Sequence, residues 1–464
     1  MSELRLAPVA LLAWAVALAI LTATWWPALL ITALAAGAAW YLRAPGQAIL
    51  VAAAGAAQTV VTAVSAARAA VRPPAEVTGT LAAPARQIDA GLWLLRIRVP
   101  DRPAPLPVFL RDEELSHLPA GTPVTADVRW RADESPGLAG YTGTAGSLET
   151  GEPTGHAGWV AGVRAALRAA SEAHVGESSR GLVPGMVLGD TSLMTPAEEQ
   201  AYIDTGLTHL TAVSGANVTV VTAAAFIVVR LVGLGPRVQV GAAFAALVVF
   251  VALVGTEPSV LRAAVTGSVG LLAVIGSARL EPAHGLCLAV LVLLLVDPGL
   301  AAQWGFALSV AATAGIVAVF PALYRALARP WLPDALTRAA CVALAADVVT
   351  MPLIAGMAGR VSLVSVAANV LVGPAVAPVT VLGLIAAGLA VLPGGLEAVP
   401  LVLLEPCTWW IHRVAVALAE LPLATVAAGP LWVVVCYGWV VFVLLTRRRG
   451  GGVARWWPWT SRCT

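Results

Sequence analysis

Long apolar runs without a charged residue constrain this chain more than any other feature of its sequence. The run from Val238 to Gly255 is eighteen residues long, near the lower end of the roughly 17–25 residues that an α-helix needs to cross a bilayer. Charged residues make up only 12% of the chain, whereas soluble domains carry about 25%. So little charge cannot cover a globule of this size with polar surface, and the sequence predicts an integral membrane protein.

Twelve apolar runs predict a polytopic α-helical protein with about twelve spans. The predicted spans are 8–24, 26–42, 47–67, 210–230, 238–255, 259–277, 283–296, 303–323, 338–356, 361–393, 399–420 and 430–446. The 361–393 run is too long for one straight span and holds Gly373, Pro374 and Pro378, which predicts a broken or re-entrant span. The first run leads directly into the second, so we expect a retained anchor and not a cleaved signal.

The segment between the third and fourth spans has a different composition. Apolar and polar residues alternate in 93–99, 107–110 and 123–130, with Gly and Pro between these stretches. This pattern is typical of half-buried strands joined by turns. We therefore expect a small all-β barrel or sandwich outside the lipid.

Two helix signals follow the β segment. Residues 159–172 predict an amphipathic helix with Arg164 and Arg168 on one face. Thr195 and Glu198 form the pattern of a capping box, which begins a helix. Gly206 is suited to end that helix. Capping is the simplest interpretation of both polar residues.

Arginine placement predicts the orientation, because cytoplasmic loops are enriched in basic residues. The basic segments are Arg43, the loop with Arg325, Arg329 and Arg338, and the tail 447–449. With twelve spans, all of them fall on one side. The C-terminus is therefore expected in the cytoplasm and the β-domain outside.

The basic and metal-binding residue types exclude several kinds of chemistry. All 28 basic residues are arginine, which excludes a Walker A lysine and a Schiff-base lysine. The six histidines are never closer than eighteen residues, and no cysteine lies in the hydrophilic segment. We therefore expect no local zinc signature, no disulfide framework and no cofactor.

Polar side chains within spans or at their mouths are functional candidates, because they are costly in lipid. They are His209, Ser214, Asn217, Glu257, Arg262, Asp297, Gln303, Asp347 and Asn369. Several of these residues also have a purely structural interpretation. Glu257 and Asp297 precede prolines and are suited to cap helices, and Arg262 is suited to pair with Glu257. Asn369 is suited to an interhelix hydrogen bond, and Ser214-Gly215 to close packing of small residues.

A serine hydrolase is one alternative, because Ser214 follows His209 by five residues. An α/β-hydrolase elbow has glycine two residues on either side of the serine. Here those positions hold Ala212 and Ala216, which weighs against this fold but leaves an intramembrane hydrolase open. A transporter of small molecules or lipid precursors is the other alternative.

Five ordered motifs give the chain a resemblance to one family. They are Val187–Ser192, Thr205–Val218, Glu257–Ala263, Asp297–Ser309 and Asn369 with the following Gly373-Pro374. Their order and spacing resemble the ComEC-type competence proteins, inner-membrane channels that admit single-stranded DNA during natural transformation. The β segment is similar in position to the external OB-fold domain of that family.

The resemblance implies a division into five parts. They are N-terminal helices (1–70), an external OB-like domain (71–156), external amphipathic helices and a loop (157–206), a channel domain (207–446) and a basic cytoplasmic tail (447–464). The host membrane would be the bacterial plasma (inner) membrane.

The resemblance also implies a translocation path lined by motif residues. These are Asp190, Asp204, His209, Ser214, Asn217, Glu257, Arg262, Asp297, Gln303, Ser309 and Asn369. The implied partners are single-stranded DNA, a membrane-tethered DNA receptor, a cytoplasmic ATPase or helicase motor, further copies of the chain and the lipid bilayer. Arg262 is suited to contact phosphate, whereas the acidic residues are better suited to orient arginines or fix loops.

The sequence departs from the family pattern at two points. Asn217 stands where the family usually has histidine, so a titrating side chain is not expected there. Many members also carry a C-terminal metallo-β-lactamase-like domain, which the short tail and scattered histidines do not provide. We therefore expect no nuclease activity of that kind and no enzymatic activity of the chain itself.

The charge of the β segment opposes a simple DNA-binding role. From 73 to 155 it has seven arginines and eleven acidic residues, a net charge of −4, whereas nonspecific binding depends on positive charge. A local stripe remains a candidate for DNA contact, and its residues are Trp93, Arg96, Arg98, Arg129, Trp130 and Arg131. The structural interpretation is a docking domain with core tryptophans.

Overall fold

The computed structural model describes residues 5–89, 91–111, 115, 118–211, 215–255, 258–275 and 281–446. The helices are α1 (Ala7–Thr22), α2 (Trp25–Tyr41), α3 (Pro45–Ala69), α4 (Gly155–His174), α5 (Leu182–Leu188), α6 (Pro196–Asp204), α7 (Thr208–Thr211), α8 (Gly215–Leu231), α9 (Pro236–Val254), α10 (Pro258–Ile275), α11 (Pro282–Val296), α12 (Trp304–Leu327), α13 (Asp334–Ala358), α14 (Ser365–Leu389), α15 (Ala398–Ala419) and α16 (Pro430–Thr446), with a 3₁₀ turn at Pro298–Ala302. The strands are β1 (Glu76–Leu81), β2 (Arg86–Asp89), β3 (Leu92–Arg98), β4 (Leu106–Arg111), β5 (Pro123–Ala132), β6 (Tyr141–Thr150), β7 (Arg360–Ser362) and β8 (Thr425–Ala427).

Each predicted span contains one apolar helix, namely α1–α3 and α8–α16. Within the described ranges, six of these are long and apolar enough to cross a membrane: α3, α9, α12, α13, α14 and α15. The other six have between 15 and 18 residues, below the ~20 residues of an average span. The membrane character of the fold is confirmed, and the count of twelve stays a prediction.

The prediction of a broken span at 361–393 is wrong. Helix α14 runs without interruption through Pro374 and Pro378. Residues 360–362 form β7 instead, which shortens the helix to 25 residues, close to the length of a single span. Each proline removes one backbone donor, a loss that packed transmembrane helices tolerate.

The segment between α3 and α4 forms a closed five-stranded barrel. Its order is β1-β5-β6-β4-β3, and β1 pairs with both β5 and β3 to close the ring. Only β4 and β6 are parallel. Strand β2 pairs with the first half of β3, on the same edge where β1 pairs with the last residues of β3. The predicted strand segments fall in β3, β4 and β5. Alternate residues such as Leu95, Ile97 and Val108 point inward and form the core.

The barrel contacts the helices at the end of α3 and at the 3₁₀ turn before α12, among other places. The guanidinium of Arg102 donates to the backbone oxygens of Ala69 and Val71, and the hydroxyl of Tyr141 donates to that of Ala70. These acceptors lie at the end of α3 and just after it, where helix carbonyl groups lack partners within the helix. The β5–β6 loop packs on the 3₁₀ turn, where a Cβ atom built at Gly299 would lie 3.3 Å from Leu138.

The segment between the barrel and the main bundle confirms the predicted helix signals. Helix α4 is amphipathic and buries Val163 and Leu167. The capping box of Thr195 and Glu198 is formed at the start of α6, and Gly206 follows the helix with a φ of +69°. The sequence did not predict α5, which is a separate helix buried along its whole length.

Helices α12 and α13 approach each other unusually closely. A Cβ atom built at Gly315 of α12 would lie 2.3 Å from the backbone oxygen of Ala345 in α13. Small residues at such a crossing let two backbones approach and pack without intervening side chains. After α13, β7 pairs with β8, so a short two-stranded sheet links the ends of α13 and α15.

Candidate functional site

Arg262 of α10 connects three of the motifs found in the sequence. Its Nε donates to Oγ of Ser309 in α12 at 2.8 Å. A Cβ atom built at Gly215 would lie 3.0 Å from its Nη2, which places the guanidinium against the first residue of α8. The N-terminal parts of α8, α10 and α12 therefore meet around one arginine.

This arrangement concentrates positive potential at one end of the bundle. Helix N-termini carry partial positive charge and free backbone donors, and they bind phosphate groups in many proteins. Arg262 adds a full charge, and none of the ion pairs formed by described residues involves it.

Asn217 holds α8 against two other helices. It is buried, and its Nδ2 donates to the backbone oxygen of Met186 in α5 at 2.9 Å. Thr380 of α14 donates to its Oδ1 at the longer distance of 3.5 Å. A buried amide with these partners fixes helix positions.

Asp190 fixes the loop that follows α5. Nη2 of Arg168 donates to its Oδ2 at 2.7 Å, and the N–H of Ser192 donates to Oδ1 at 3.1 Å. Burial by itself raises the pKa of Asp190, but the hydrogen bonds from Ser192 and Arg168 and the charge of Arg168 outweigh it. The pKa of Asp190 therefore lies below its usual value, and the residue orients an arginine.

The segment from Asp204 to His209 connects α6 to the start of the bundle. Asp204 pairs with Arg360 of β7 at 3.4 Å. His209 is exposed in α7, with its Nδ1 3.1 Å from the backbone oxygen of Gly206. The φ of +69° at Gly206 allows the tight turn between the two residues.

Asp297 caps the 3₁₀ turn that precedes α12, as its position before a proline predicted. Its Oδ1 accepts from the N–H of Gly299 at 2.9 Å, and Arg98 of the barrel lies near enough to act on its charge. Gln303 is exposed at the N-cap position of α12. The start of α12 is therefore in contact with the barrel.

Asn369 makes a hydrogen bond within its own helix. Its Nδ2 donates to the backbone oxygen of Ser365 at 2.9 Å, and the hydroxyl of Ser365 donates to Asp347 in α13. The predicted interhelix contact at this position is therefore made by Ser365 and not by Asn369.

Two predicted path residues, Ser214 and Glu257, lie outside the described residues. The predicted pairings therefore lie outside the described residues as well, both that of His209 with Ser214 and that of Glu257 with Arg262.

The barrel candidates divide into exposed and buried residues. Arg96, Arg98, Arg129 and Arg131 are exposed, because they alternate with inward-facing residues along β3 and β5. Trp93 faces inward with 7% of its surface exposed, so its predicted role in stacking bases is wrong. Trp130 is half-buried and donates to the backbone oxygen of Pro74.

The strand register adds one aromatic residue to the outer face. Arg129 is opposite Thr144, Thr144 is opposite Phe109, and Phe109 is opposite Leu94. Arg96 and Arg131 lie two residues along from Leu94 and Arg129, on the same side of their strands. The basic face, as we name it, consists of Arg96, Phe109, Arg129 and Arg131.

The comparisons with known proteins match the segment that carries these motifs. The sequence profile of the competence protein family matches residues 186–450, which is more than half of the chain. The chain belongs to the competence protein family. The match begins inside α5 and includes Asn217, Arg262, Ser309 and Asn369, while the barrel and α1–α3 precede it.

One relative is ComE operon protein 3 of Bacillus subtilis (strain 168). It is 26% identical over 280 residues, which cover 58% of this chain and 34% of that protein. The match thus spans about a third of the length of this curated competence relative. No solved structure matches the chain.

Sequence reasoning missed three features of the competence fold. The partners of Asp347, the proximity of Arg98 to Asp297 and the position of Phe109 beside the basic face all depend on long-range packing. Only Phe109 carried a usable signal, because it shares the outward phase of the alternating pattern in β4.

Proposed function

We propose that the chain forms a path through the bacterial plasma membrane for single-stranded DNA taken up during competence. The observation that carries the proposal is the meeting of α8, α10 and α12 around Arg262. A path for a polyanion needs donors and positive potential that solvate phosphate at its mouth. Arg262 and three helix N-termini supply them together, and the acidic motif residues Asp190 and Asp297 are occupied in fixing loops.

The barrel is suited to present DNA to this mouth. Its strand order and its single parallel pair support an OB-fold-like assignment, a fold whose outer face binds oligonucleotides in many proteins. The basic face provides three guanidinium groups beside a half-buried phenyl ring, and phosphate contacts with base stacking are how single strands are held without sequence preference. Because the segment as a whole is acidic, binding is confined to this face.

Charge reversal on the basic face tests its role. The double variant Arg96→Glu and Arg131→Glu of the full chain is expected to bind a labelled single-stranded oligonucleotide at least roughly ten-fold more weakly. The plot of log affinity against log salt concentration has a negative slope, and its magnitude should fall by about 1.4. Each phosphate contact to a single strand contributes about 0.7 to that magnitude, and two contacts are lost. The measurement is fluorescence anisotropy in detergent.

The double variant Arg43→Glu and Arg237→Glu is the matched control, because both residues are exposed, lie outside the barrel and carry the same change in charge. Equal affinity of the two double variants would remove the barrel from the proposal.

The orientation and partners follow from the same proposal. With the arginine-rich loops in the cytoplasm, the barrel and the Arg262 mouth face outward, toward a membrane-tethered DNA receptor. The strand would leave toward a cytoplasmic ATPase or helicase, because a chain without lysine has no Walker A motif. We propose a conduit without catalysis of its own, in one or more copies.

Uptake in cells tests the proposal directly. In a strain that lacks this gene, the intact chain is expected to restore acquisition of a genetic marker from added DNA. DNA labelled on each strand in turn should leave only one strand inside, protected from external nuclease. Equal marker acquisition with and without the gene would contradict the proposal.

A further inference from the structure

Asp347 is a carboxylic acid near the middle of a long apolar helix. It lies thirteen residues after the first residue of α13 and eleven before the last. The hydroxyl of Ser365 in α14 donates to its Oδ1 at 2.8 Å, and the hydroxyl of Tyr437 in α16 donates to its Oδ2 at 3.0 Å. Three helices are thus joined through one carboxyl group.

The titratable groups on the described elements that pack against α13 can be named one by one. Helix α14 has no titratable residue, and α16 offers Tyr437 and Cys436. In α12, Tyr324 and Arg325 lie in the last turn; in α13, Arg338 pairs with Asp334 in the first turns, and Cys341 is the remaining titratable residue of the helix. Arg360 of β7 pairs with Asp204. In the part of the chain that the structure describes, no ion pair involves Asp347.

A carboxyl group in this position can be either charged or protonated. The charged form is costly within a membrane protein when only neutral donors face it. Uptake of one proton gives the neutral acid, which carries an O–H of its own. Both hydroxyl neighbours now donate, so one of them must turn to accept or move away. Protonation therefore changes a contact between α13 and either α14 or α16.

Ser365 connects the protonation state of Asp347 to the family motifs. A Cβ atom built at Gly206 would lie 2.8 Å from Cβ of Ser365, so the turn between α6 and α7 rests directly on this serine. Asn369 donates to the backbone oxygen of the same residue. A shift of Ser365 would therefore move the segment that leads into α8.

We propose that Asp347 is a proton-binding site that couples its protonation, through Ser365, to the position of the 204–211 segment. A transmembrane proton gradient would then change which position of this segment is favoured at the mouth of the proposed path. The coupling to uptake rests on the proposed function, whereas proton binding stands independently of it.

Infrared difference spectroscopy of the full chain in lipid vesicles tests proton binding without DNA. Between about pH 5.5 and pH 9, above the range in which exposed carboxyl groups take up protons, a carbonyl stretch of a neutral carboxylic acid should appear as the pH falls. Asp347→Asn should remove this band and Asp347→Glu should move it. Asp334→Asn, an exposed acid at the start of the same helix, should leave it in place.

The hydroxyl donors give a second arm. Ser365→Ala and Tyr437→Phe each remove a hydrogen bond that favours the charged form, so each should raise the pH at which the band appears. A band that persists in Asp347→Asn, or a midpoint unmoved in both hydroxyl variants, would overturn the assignment.

The uptake assay tests the coupling. DNA uptake by Asp347→Asn should fall roughly ten-fold, within the usual range of coupling between two sites, while uptake by Asp334→Asn should match that of the unmodified chain. Normal uptake by Asp347→Asn would overturn the coupling. A chain that shows the band but supports no uptake in any form would refute the proposed function and leave the proton site standing.

Discussion

Replacement of Arg262 by alanine is expected to reduce DNA uptake roughly 100-fold or more, as loss of a charge-assisted contact worth up to about 3 kcal/mol would. The guanidinium joins α10 to Ser309 and faces the first residue of α8. Without it, the mouth loses its fixed positive charge, and the three helix ends lose the side chain that holds them together. Marker acquisition per cell is the measurement, normalised to the amount of chain in the membrane.

Variants of neighbouring residues separate charge from packing. Ser309→Ala keeps the charge and removes only its acceptor, so a smaller loss of uptake is expected. Arg237→Ala is the matched control, because Arg237 is exposed at the start of α9. Wild-type uptake by Arg262→Ala at normal membrane levels would exclude the arginine from the path.

Replacement of Gly315 by alanine is expected to destabilise the bundle by about 2 to 3 kcal/mol, toward the upper end of the usual cost of overpacking. The new methyl group would lie 2.3 Å from the backbone oxygen of Ala345, and a backbone atom cannot turn away as a flexible side chain can. Helices α12 and α13 would have to separate. The measurement is the temperature at which the purified chain loses its monodisperse state in detergent.

Gly356→Ala supplies the control for this prediction. Gly356 is an exposed residue in α13, and a Cβ atom built there meets no atom within 4 Å. This variant should be unchanged or slightly more stable, since alanine favours a helix by roughly 0.5–1 kcal/mol over glycine. Equal stability of the Gly315 and Gly356 variants would show that the close crossing does not matter.

The sequence predicted those features that depend on local patterns. The positions of the apolar helices follow from hydropathy, because backbone donors and acceptors must pair inside each segment in lipid. The capping roles of Thr195, Glu198 and Asp297 also followed from local rules, since each involves residues within a few positions. The strands β3, β4 and β5 followed from the alternation of apolar and polar residues.

The errors came from applying a correct rule incompletely. Trp93 has the same inward phase as Leu95 and Ile97, so the alternation that placed Arg96 outside also placed Trp93 inside. In the 361–393 run, the count of apolar residues concealed that the first few belong to a strand. Helix α14 then needs no break, because the remaining length suits one span.

The site contacts were beyond local inference. Arg262 and Ser309 are 47 residues apart, and Asp347 and Tyr437 are 90 apart. Each residue carries a polar signal on its own, but hydropathy contains no information about which faces of two helices meet. The family resemblance grouped the motifs without giving the contacts between them.

The contacts of the barrel with α3 and with the 3₁₀ turn have a mechanical consequence. A domain joined at one flexible point can swing freely, but this one is held both at the end of α3 and at the 3₁₀ turn before α12. If the barrel binds a DNA strand as proposed, tension on that strand would therefore act as a torque on this turn. Since α12 continues from the turn to Ser309, the torque would reach the contact between Ser309 and Arg262.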